Sequence, residues 1–299
     1  MTATADPAQT SVGVSAAGVP AAVVAAGFVP AASVVAGFVP AAGVPTSAVS
    51  ATGVSVAVPV STVTGSVPPD VLTAPAAPAE AIDAATLVVL RDAGAGPEVL
   101  LLRRSPDSPH FPGAWVFPGG KVLRAEGQPD EQATAAAVRE AREEAGLDLP
   151  ADGLVSWSVW APPAHARAQF RTAVFCTAIA STADVVVDGY EVVEAQWVAP
   201  TEALRRHAEQ GWELLPPTWV TLHGLAGWAS VDAILAAGAG RRPPQYRTQV
   251  LGRDPTVLGW AGDELYPGEP GVAGRRHRLT LGDRPWRFEW TPGVVTRDI

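Results

Sequence analysis

The sequence predicts an α+β sandwich behind a low-complexity leader. Three observations carry that reading. Beyond Ala84, β-rich runs are mixed with helix-favouring runs. One long run, Asp130 to Ala145, is dominated by Ala, Glu, Gln and Arg, which favour helix. No Lys or Arg occurs before Arg91, and only Asp6, Asp70, Glu80 and Asp83 carry charge before Ala84. The 299 residues therefore divide into a nearly uncharged leader (1–83), a folded domain (84–240) and a C-terminal extension (241–299) packed on or completing that domain.

The leader is rich in Ala, Val, Gly, Ser and Pro. Pro20, Pro30 and Pro40 head the repeats PAAVVAAGFV, PAASVVAGFV and PAAGVP. Proline at that spacing breaks a helix after a few residues, so no membrane span of about 20 apolar residues is expected. A secretory signal is not expected either, because no positively charged segment precedes the apolar stretch. The reading is a disordered extension without a catalytic role. Membrane association or self-association through Phe28 and Phe38 is the alternative.

Ala85 to Arg91 is a first strand, Asp92 to Pro97 a turn and Glu98 to Arg104 a second strand. Ala114 to Phe117 is short and apolar and leads into Pro118-Gly119-Gly120. The helix of Asp130 to Ala145 has Asp130 as its N-cap and Gly146 at its C-cap. Val155 to Trp160, Gln169 to Ala178 and Glu191 to Val198 read as strands. Thr201 to Gln210 and Thr218 to Ala237 read as helices. From Gly238 the chain is loop-rich, with strand-like pieces near Arg275 to Leu281 and Trp286 to Glu289.

Composition excludes some functions. The net charge is −9, from 21 Lys+Arg against 30 Asp+Glu, with no basic run. Binding to nucleic acid or to an anionic membrane is therefore not expected. The single cysteine, Cys176, rules out an intramolecular disulfide and a cysteine-cluster metal site. It suits a reducing compartment, and a cytoplasmic location is expected.

The chemistry concentrates in Arg139-Glu140-Ala141-Arg142-Glu143-Glu144-Ala145-Gly146-Leu147. On a helix, Glu140 lies three and four residues from Glu143 and Glu144, so the three carboxylates share one side and repel. A hard divalent cation with oxygen ligands, Mg²⁺ or Mn²⁺, relieves that repulsion. Arg139 can pair with a carboxylate and hold it. Glu144 reads as a surface carboxylate. The alternative for the whole segment is a solvated acidic face.

From Glu131 to Leu147 the segment resembles the box of the Nudix hydrolase family: Glu, seven residues, Arg-Glu, an apolar residue, any residue, Glu-Glu, any residue, Gly and an apolar residue. The box glycine falls at Ala125, while Gly120 lies eleven residues before Glu131, consistent with a loop lengthened by five residues. The resemblance implies an α/β/α sandwich with a mixed β-sheet. It also implies Glu140, Glu143 and Glu144 as metal ligands, with Glu140 a ligand or general base. Arg139 would orient the acids, Glu131 would support the site, and Gly119 and Gly120 would let the backbone approach metal and phosphate. The substrate implied by the resemblance is a small-molecule diphosphate. A non-catalytic binding module of this fold would be expected to lose box glutamates, and all are present.

Upstream, Leu100-Leu101-Leu102-Arg103-Arg104-Ser105, Gly113 and Phe117-Pro118-Gly119-Gly120 are similar to the signature of coenzyme A diphosphatases. The spacing from Arg104 to Gly120 is kept; Leu102 replaces a Thr and Pro109 replaces a second Arg. The lengthened box, Leu214-Leu215-Pro216-Pro217-Thr218 and Gly262-Asp263-Glu264-Leu265-Tyr266 resemble the larger, peroxisomal members of that subgroup. The C-terminal Arg297-Asp298-Ile299 is not a peroxisomal address. The resemblance implies cleavage of coenzyme A or acyl-coenzyme A to 3′,5′-adenosine bisphosphate and 4′-phosphopantetheine or its acyl form. ADP-ribose, nucleoside diphosphate sugars and dinucleotides are the alternative substrates. Arg103, Arg104 and Arg124 are candidates for phosphate contact, and Glu191 for an accessory acid. Trp115 reads as packing or as a platform for adenine. The five histidines show no ligand spacing. Cys176 and the Trp219, Leu222 and Leu225 stripe read as core.

Overall fold

The computed structural model describes residues 82–123, 128–164, 166, 169–180, 182–253, 255–268 and 271–291. The leader repeats, Arg124, Ala125, His165 and the C-terminal Arg297 to Ile299 lie outside the described residues. The described residues form twelve strands and four helices.

Strand β1 (Ile82–Ala93) and β2 (Gly96–Arg104) form an antiparallel hairpin. The strand begins at Ile82, two residues inside the segment assigned to the leader. Side chains of β1 alternate between two cores, as the pleat requires. Ala85, Leu87 and Val89 face one core, and Val88 and Leu90 face the other. A strand that is apolar on both faces belongs at the centre of a sheet covered on both sides. Strand β6 (Phe170–Ala178) accordingly lies parallel to β1 on its other edge. The path runs β3-β2-β1-β6-β5-β8, with β3 at Trp115–Val116, β5 at Val155–Ala161 and β8 at Gln245–Arg247. Strand β4 (Gly119–Lys121) pairs with β1, and β7 (Val192–Val198) with β2. The sheet is mixed.

Helix α1 (Pro129–Ala145) covers one face through Ala133, Ala136, Ala137, Ala141 and Ala145. Small side chains there let the helix axis come close to the sheet. The helix starts earlier than Asp130. Pro129 takes the first turn, where its missing N–H costs nothing, and Gln128 is the N-cap. Gly146 ends it in the left-handed region, φ +68°, as a C-cap glycine should.

The opposite face carries α2 (Pro200–Glu209), α3 (Pro216–Leu225) and α4 (Val231–Ala239). The single helix predicted over Thr218 to Ala237 is two helices. Gly227 turns the chain at φ +83° and Ser230 caps α4, its Oγ accepting the Ala233 N–H at 3.2 Å. The Trp228 indole N–H donates to the Gly224 carbonyl at 3.0 Å, satisfying a carbonyl that the broken helix leaves free.

The last segment is more ordered than its loop-like composition predicts. Strands β9 (Gln249–Arg253), β10 (Thr256–Gly259), β11 (His277–Thr280) and β12 (Arg287–Trp290) form a second antiparallel sheet in the order β12-β11-β10-β9. Leu258, Trp260, Leu279 and Trp286 bury themselves in the same core as Trp219 and Leu222. Among the described residues no helix is long and apolar enough to cross a membrane.

Candidate active site

A cavity of about 970 Å³ opens over β4, the start of β1, β6 and the end of β5. It falls within the usual size range of small-molecule sites. Glu140, Glu143 and Arg139 of α1 reach it, together with Gly119, Gly120 and Lys121 of β4.

The carboxylates are held by three contacts. Arg139 Nη2 donates to Glu140 Oε1 at 2.6 Å and to the Lys121 carbonyl at 3.1 Å, and Nη1 donates to Glu143 Oε2 at 2.6 Å. One guanidinium thus ties two acids of the helix to the strand beneath them. The Gly119 N–H donates to Glu144 Oε2 at 3.0 Å. The two glycines serve these acids. A Cβ on Gly120 would overlap the Glu140 carboxylate, and one on Gly119 would overlap Thr86 of β1.

Glu144 is not a surface carboxylate. It is 3 % exposed and, unlike Glu140 and Glu143, does not line the cavity. Burial raises its pKa to about 7; the Gly119 N–H and Arg104 oppose that rise, and Glu140 and Glu191 add to it. Burial also raises the Glu140 pKa, against the pull of Arg139, with Glu143 and Glu191 pushing the same way as burial. The three acids are not gathered into an ion cage: among the described residues no three His, Cys, Asp or Glu side chains are so arranged. Glu140 and Glu143 grip Arg139 instead, and Glu144 turns to Gly119. The donor chemistry fits a hard divalent cation. It offers carboxylate oxygens only, two of them desolvated and mutually repelling with one guanidinium between Glu140 and Glu143.

The two upstream arginines part ways, as neighbours on a strand must. Arg104 faces the cavity. Its Nε and Nη2 donate to Ser108 Oγ at 3.1 and 2.9 Å, and Nε also donates to the His110 carbonyl at 3.0 Å. Among the described residues both of its hydrogen-bond acceptors are neutral. Arg103 is not brought to the cavity and pairs with Glu194 at 3.5 Å on the outside. Glu131 is also away from the cavity. At the third helical position its Oε2 accepts the Gln128 N–H at 3.2 Å and so anchors the start of α1.

Glu191 does line the cavity. Asp188, which sequence reasoning passed over, places it: its Oδ1 accepts the N–H groups of Tyr190, Glu191 and Val192 at 2.9, 3.1 and 3.0 Å. The Asp188-Gly189 pair is a turn signal that could have revealed this. Ser108, Lys121, Thr248 and Leu258 were missed as well, and nothing in their local sequence marks them. Pro109 lines the cavity where the subgroup carries arginine, whereas Leu102 is fully buried. Trp115 is a packing residue, stacked on Trp212 with centroids 4.0 Å apart. Gly262 to Tyr266 is a structural clamp: Asp263 accepts from His277 N at 2.8 Å and from both Arg278 donors, and Tyr266 Oη donates to the Arg247 carbonyl at 3.0 Å.

An acid-bearing helix over a mixed sheet, facing a cavity that Arg104 also lines, suits the hydrolysis of a phosphorus anhydride. Residues 81–217 match the NUDIX domain family, and the chain carries a Nudix domain. Among solved structures it is similar to a NUDIX hydrolase from Alicyclobacillus acidocaldarius. The match has 22 % identity and a TM-score of 0.46 and covers 52 % of this chain and 96 % of that one. It is also similar to an Ap4A hydrolase from C. elegans, with 20 % identity and a TM-score of 0.37, covering 52 % and 98 %. A third match is the NUDIX domain of Shewanella oneidensis NrtR, solved with ADP ribose, with 17 % identity and a TM-score of 0.38, covering 49 % and 86 %. No curated protein matches the chain.

Proposed function

We propose that this protein is a divalent-metal-dependent hydrolase that cleaves the diphosphate of coenzyme A or an acyl-coenzyme A. The observation that carries the reading is Arg104. It is a guanidinium held in place by neutral oxygens, in the same cavity as Glu140 and Glu143. A guanidinium whose hydrogen-bond acceptors are neutral, and which feels the Glu144 carboxylate only through longer-range attraction, has a phosphate as its natural partner.

Glu140, Glu143 and Glu144 would hold the cation. When bound, it neutralises phosphoryl charge and lowers the pKa of water. Glu140 is placed to accept the proton of the attacking water, while Arg139 keeps its carboxylate aimed. Water adds to one phosphorus and the bridging P–O bond breaks, leaving a phosphomonoester on each product. Arg104 stabilises charge on the phosphoryl oxygens, and Glu191 stands by as a second acid.

The retained spacing from Arg104 to Gly120 supports coenzyme A as substrate. Pro109, which leaves the cavity without the subgroup's second arginine, favours a second reading. In it, ADP-ribose, a nucleoside diphosphate sugar or a dinucleotide is cleaved by the same residues. A substrate panel with Mg²⁺ or Mn²⁺, the products identified by mass, tests both. Expected products are 3′,5′-adenosine bisphosphate and 4′-phosphopantetheine. Intact coenzyme A beside rapid cleavage of ADP-ribose would select the second reading. No cleavage of any diphosphate would overturn both.

A further inference from the structure

We infer that the end of the cavity farthest from the carboxylates is a specificity subsite for a long, uncharged aliphatic arm carrying a hydrogen-bond acceptor, with Thr248 as the donor and Leu258 as the wall. The inference rests on the diphosphatase reading and deepens it. Both residues lie beyond the 81–217 Nudix match, so the C-terminal segment would set which diphosphate is taken.

The sheet sets the length of the arm. A single row of paired residues crosses five strands: Lys121 of β4, Ala84 of β1, Thr172 of β6, Trp160 of β5 and Tyr246 of β8. All but Tyr246 line the cavity, as does Thr248 just beyond it. Four strand spacings of about 4.8 Å place the far end on the order of 19 Å from the carboxylate end. A group that touches both ends must be extended.

Its polarity follows from the walls. Pro162 and Pro163 follow β5 there, beside Trp160 and Phe170. Prolines offer carbon and no N–H donor. Trp160 is stacked on Tyr246 with centroids 4.0 Å apart and planes nearly parallel, so this ring face is already used. Leu258 of β10 closes the wall. Such a surface favours alkyl carbon.

Thr248 supplies the polar feature. It is 7 % exposed and its N–H donates to the Ala161 carbonyl at 2.9 Å. Its Oγ1 accepts the Trp260 indole N–H at 3.1 Å, which leaves the hydroxyl's own proton to give. Among the described residues none accepts it. A carbonyl on the arm would.

The test uses the full chain with Mg²⁺ and calorimetric binding of three uncleavable methylene-diphosphonate monoesters, bearing a pantetheine arm, a plain alkyl arm of equal length and a methyl group. The expected order is pantetheine tightest and methyl weakest, with at least tenfold between them. Thr248→Val should weaken only the pantetheine probe, by about tenfold, and Thr248→Ser should restore it. Leu258→Ala should weaken both long probes and spare the methyl one. Thermal midpoints establish that each variant is folded. Equal binding of the three probes, or equal effects of Thr248→Val on all of them, would overturn the subsite while leaving the diphosphatase reading intact. Failure of every probe to bind would overturn both.

Discussion

Two acids of this protein are buried to nearly the same degree and are treated in opposite ways. Asp263 is fully buried in the C-terminal sheet; Glu144 is 3 % exposed behind the cavity. Burial alone would raise the pKa of both. At Asp263 the Arg278 guanidinium and the N–H groups of His277 and Leu265 outweigh burial and hold the pKa below its ordinary value. Glu144 accepts from the Gly119 N–H at 3.0 Å, and its pKa rises to about 7 because burial outweighs that contact. A buried carboxylate with full partners fastens the fold. One left short of charge compensation is a cost to the fold, and on the proposed reading that cost is offset when Glu144 helps to hold a cation.

Neutralising each acid should separate the two roles. Glu144→Gln should lower kcat by about 10²–10⁴-fold. Its thermal midpoint should not fall, because an amide oxygen still accepts from Gly119 and a desolvated charge is gone. A clear loss of stability with normal turnover would assign Glu144 to the fold. Asp263→Ala should do the reverse. Breaking a buried, paired charge costs about 3–5 kcal/mol, seen as a lower denaturation midpoint, while the folded fraction turns over nearly as before.

His207 extends the comparison to pH. Burial, and then Arg284 nearby, lower its pKa to about 4, although its Nδ1 pairs with the Trp212 carbonyl at 2.8 Å. The folded state prefers the neutral ring, so the unfolded chain takes up a proton first as pH falls. The contribution of this group is therefore complete above about pH 6.5 and is lost between pH 6.5 and 4, roughly 3 kcal/mol in all, against the opposite slope that the raised Glu144 pKa gives on its way to about 7. His207→Gln should remove that contribution, so that urea unfolding shows a smaller loss of stability on going from pH 6.5 to 4 than in the unaltered protein.

Arg104→Gln probes the functional side with a smaller effect. Losing a charge-assisted phosphate contact should raise KM by about 10–100-fold with little change in Tm, since its present partners are neutral. An unchanged KM would remove Arg104 from the phosphate site.

What could be read ahead of the structure follows from the range of the interactions. The α1 helix, its Gly146 cap and the shared side of Glu140, Glu143 and Glu144 depend on spacing along one element, and periodicity displays spacing. The strand β1 was legible as a β-rich run from Ala85 to Arg91. The depth of Glu144 was not, because it depends on β4 folding over the helix to place Gly119 against it. The separation of Arg103 from Arg104 could have been read from strand alternation. The hold of Ser108 and His110 on Arg104 could not. Thr248 and Leu258 were hidden for a further reason: β8 reaches the cavity by pairing with β5 more than eighty residues earlier. The break between α3 and α4 lay in view at Gly227 and Ser230, masked by good helix formers on either side.

Glu131 gives the smallest effect and divides the two regions most finely. The resemblance assigns it to the site, yet the structure sets it at the start of α1, accepting the Gln128 N–H at 3.2 Å. A carboxylate there also favours the positive end of the helix dipole. Glu131→Ala should cost about 1 kcal/mol, or 2–4 °C in thermal midpoint for a domain of this size. Glu131→Gln should recover most of it, because an amide oxygen can accept the same N–H. Turnover should be unchanged in both, since α1 is also fixed along its length by five alanines against β1 and β2. A tenfold fall in kcat with an unchanged midpoint would show that the start of the helix reports to Glu140 and Glu144. The boundary between fold-fastening and function-bearing acids would then run through α1 itself.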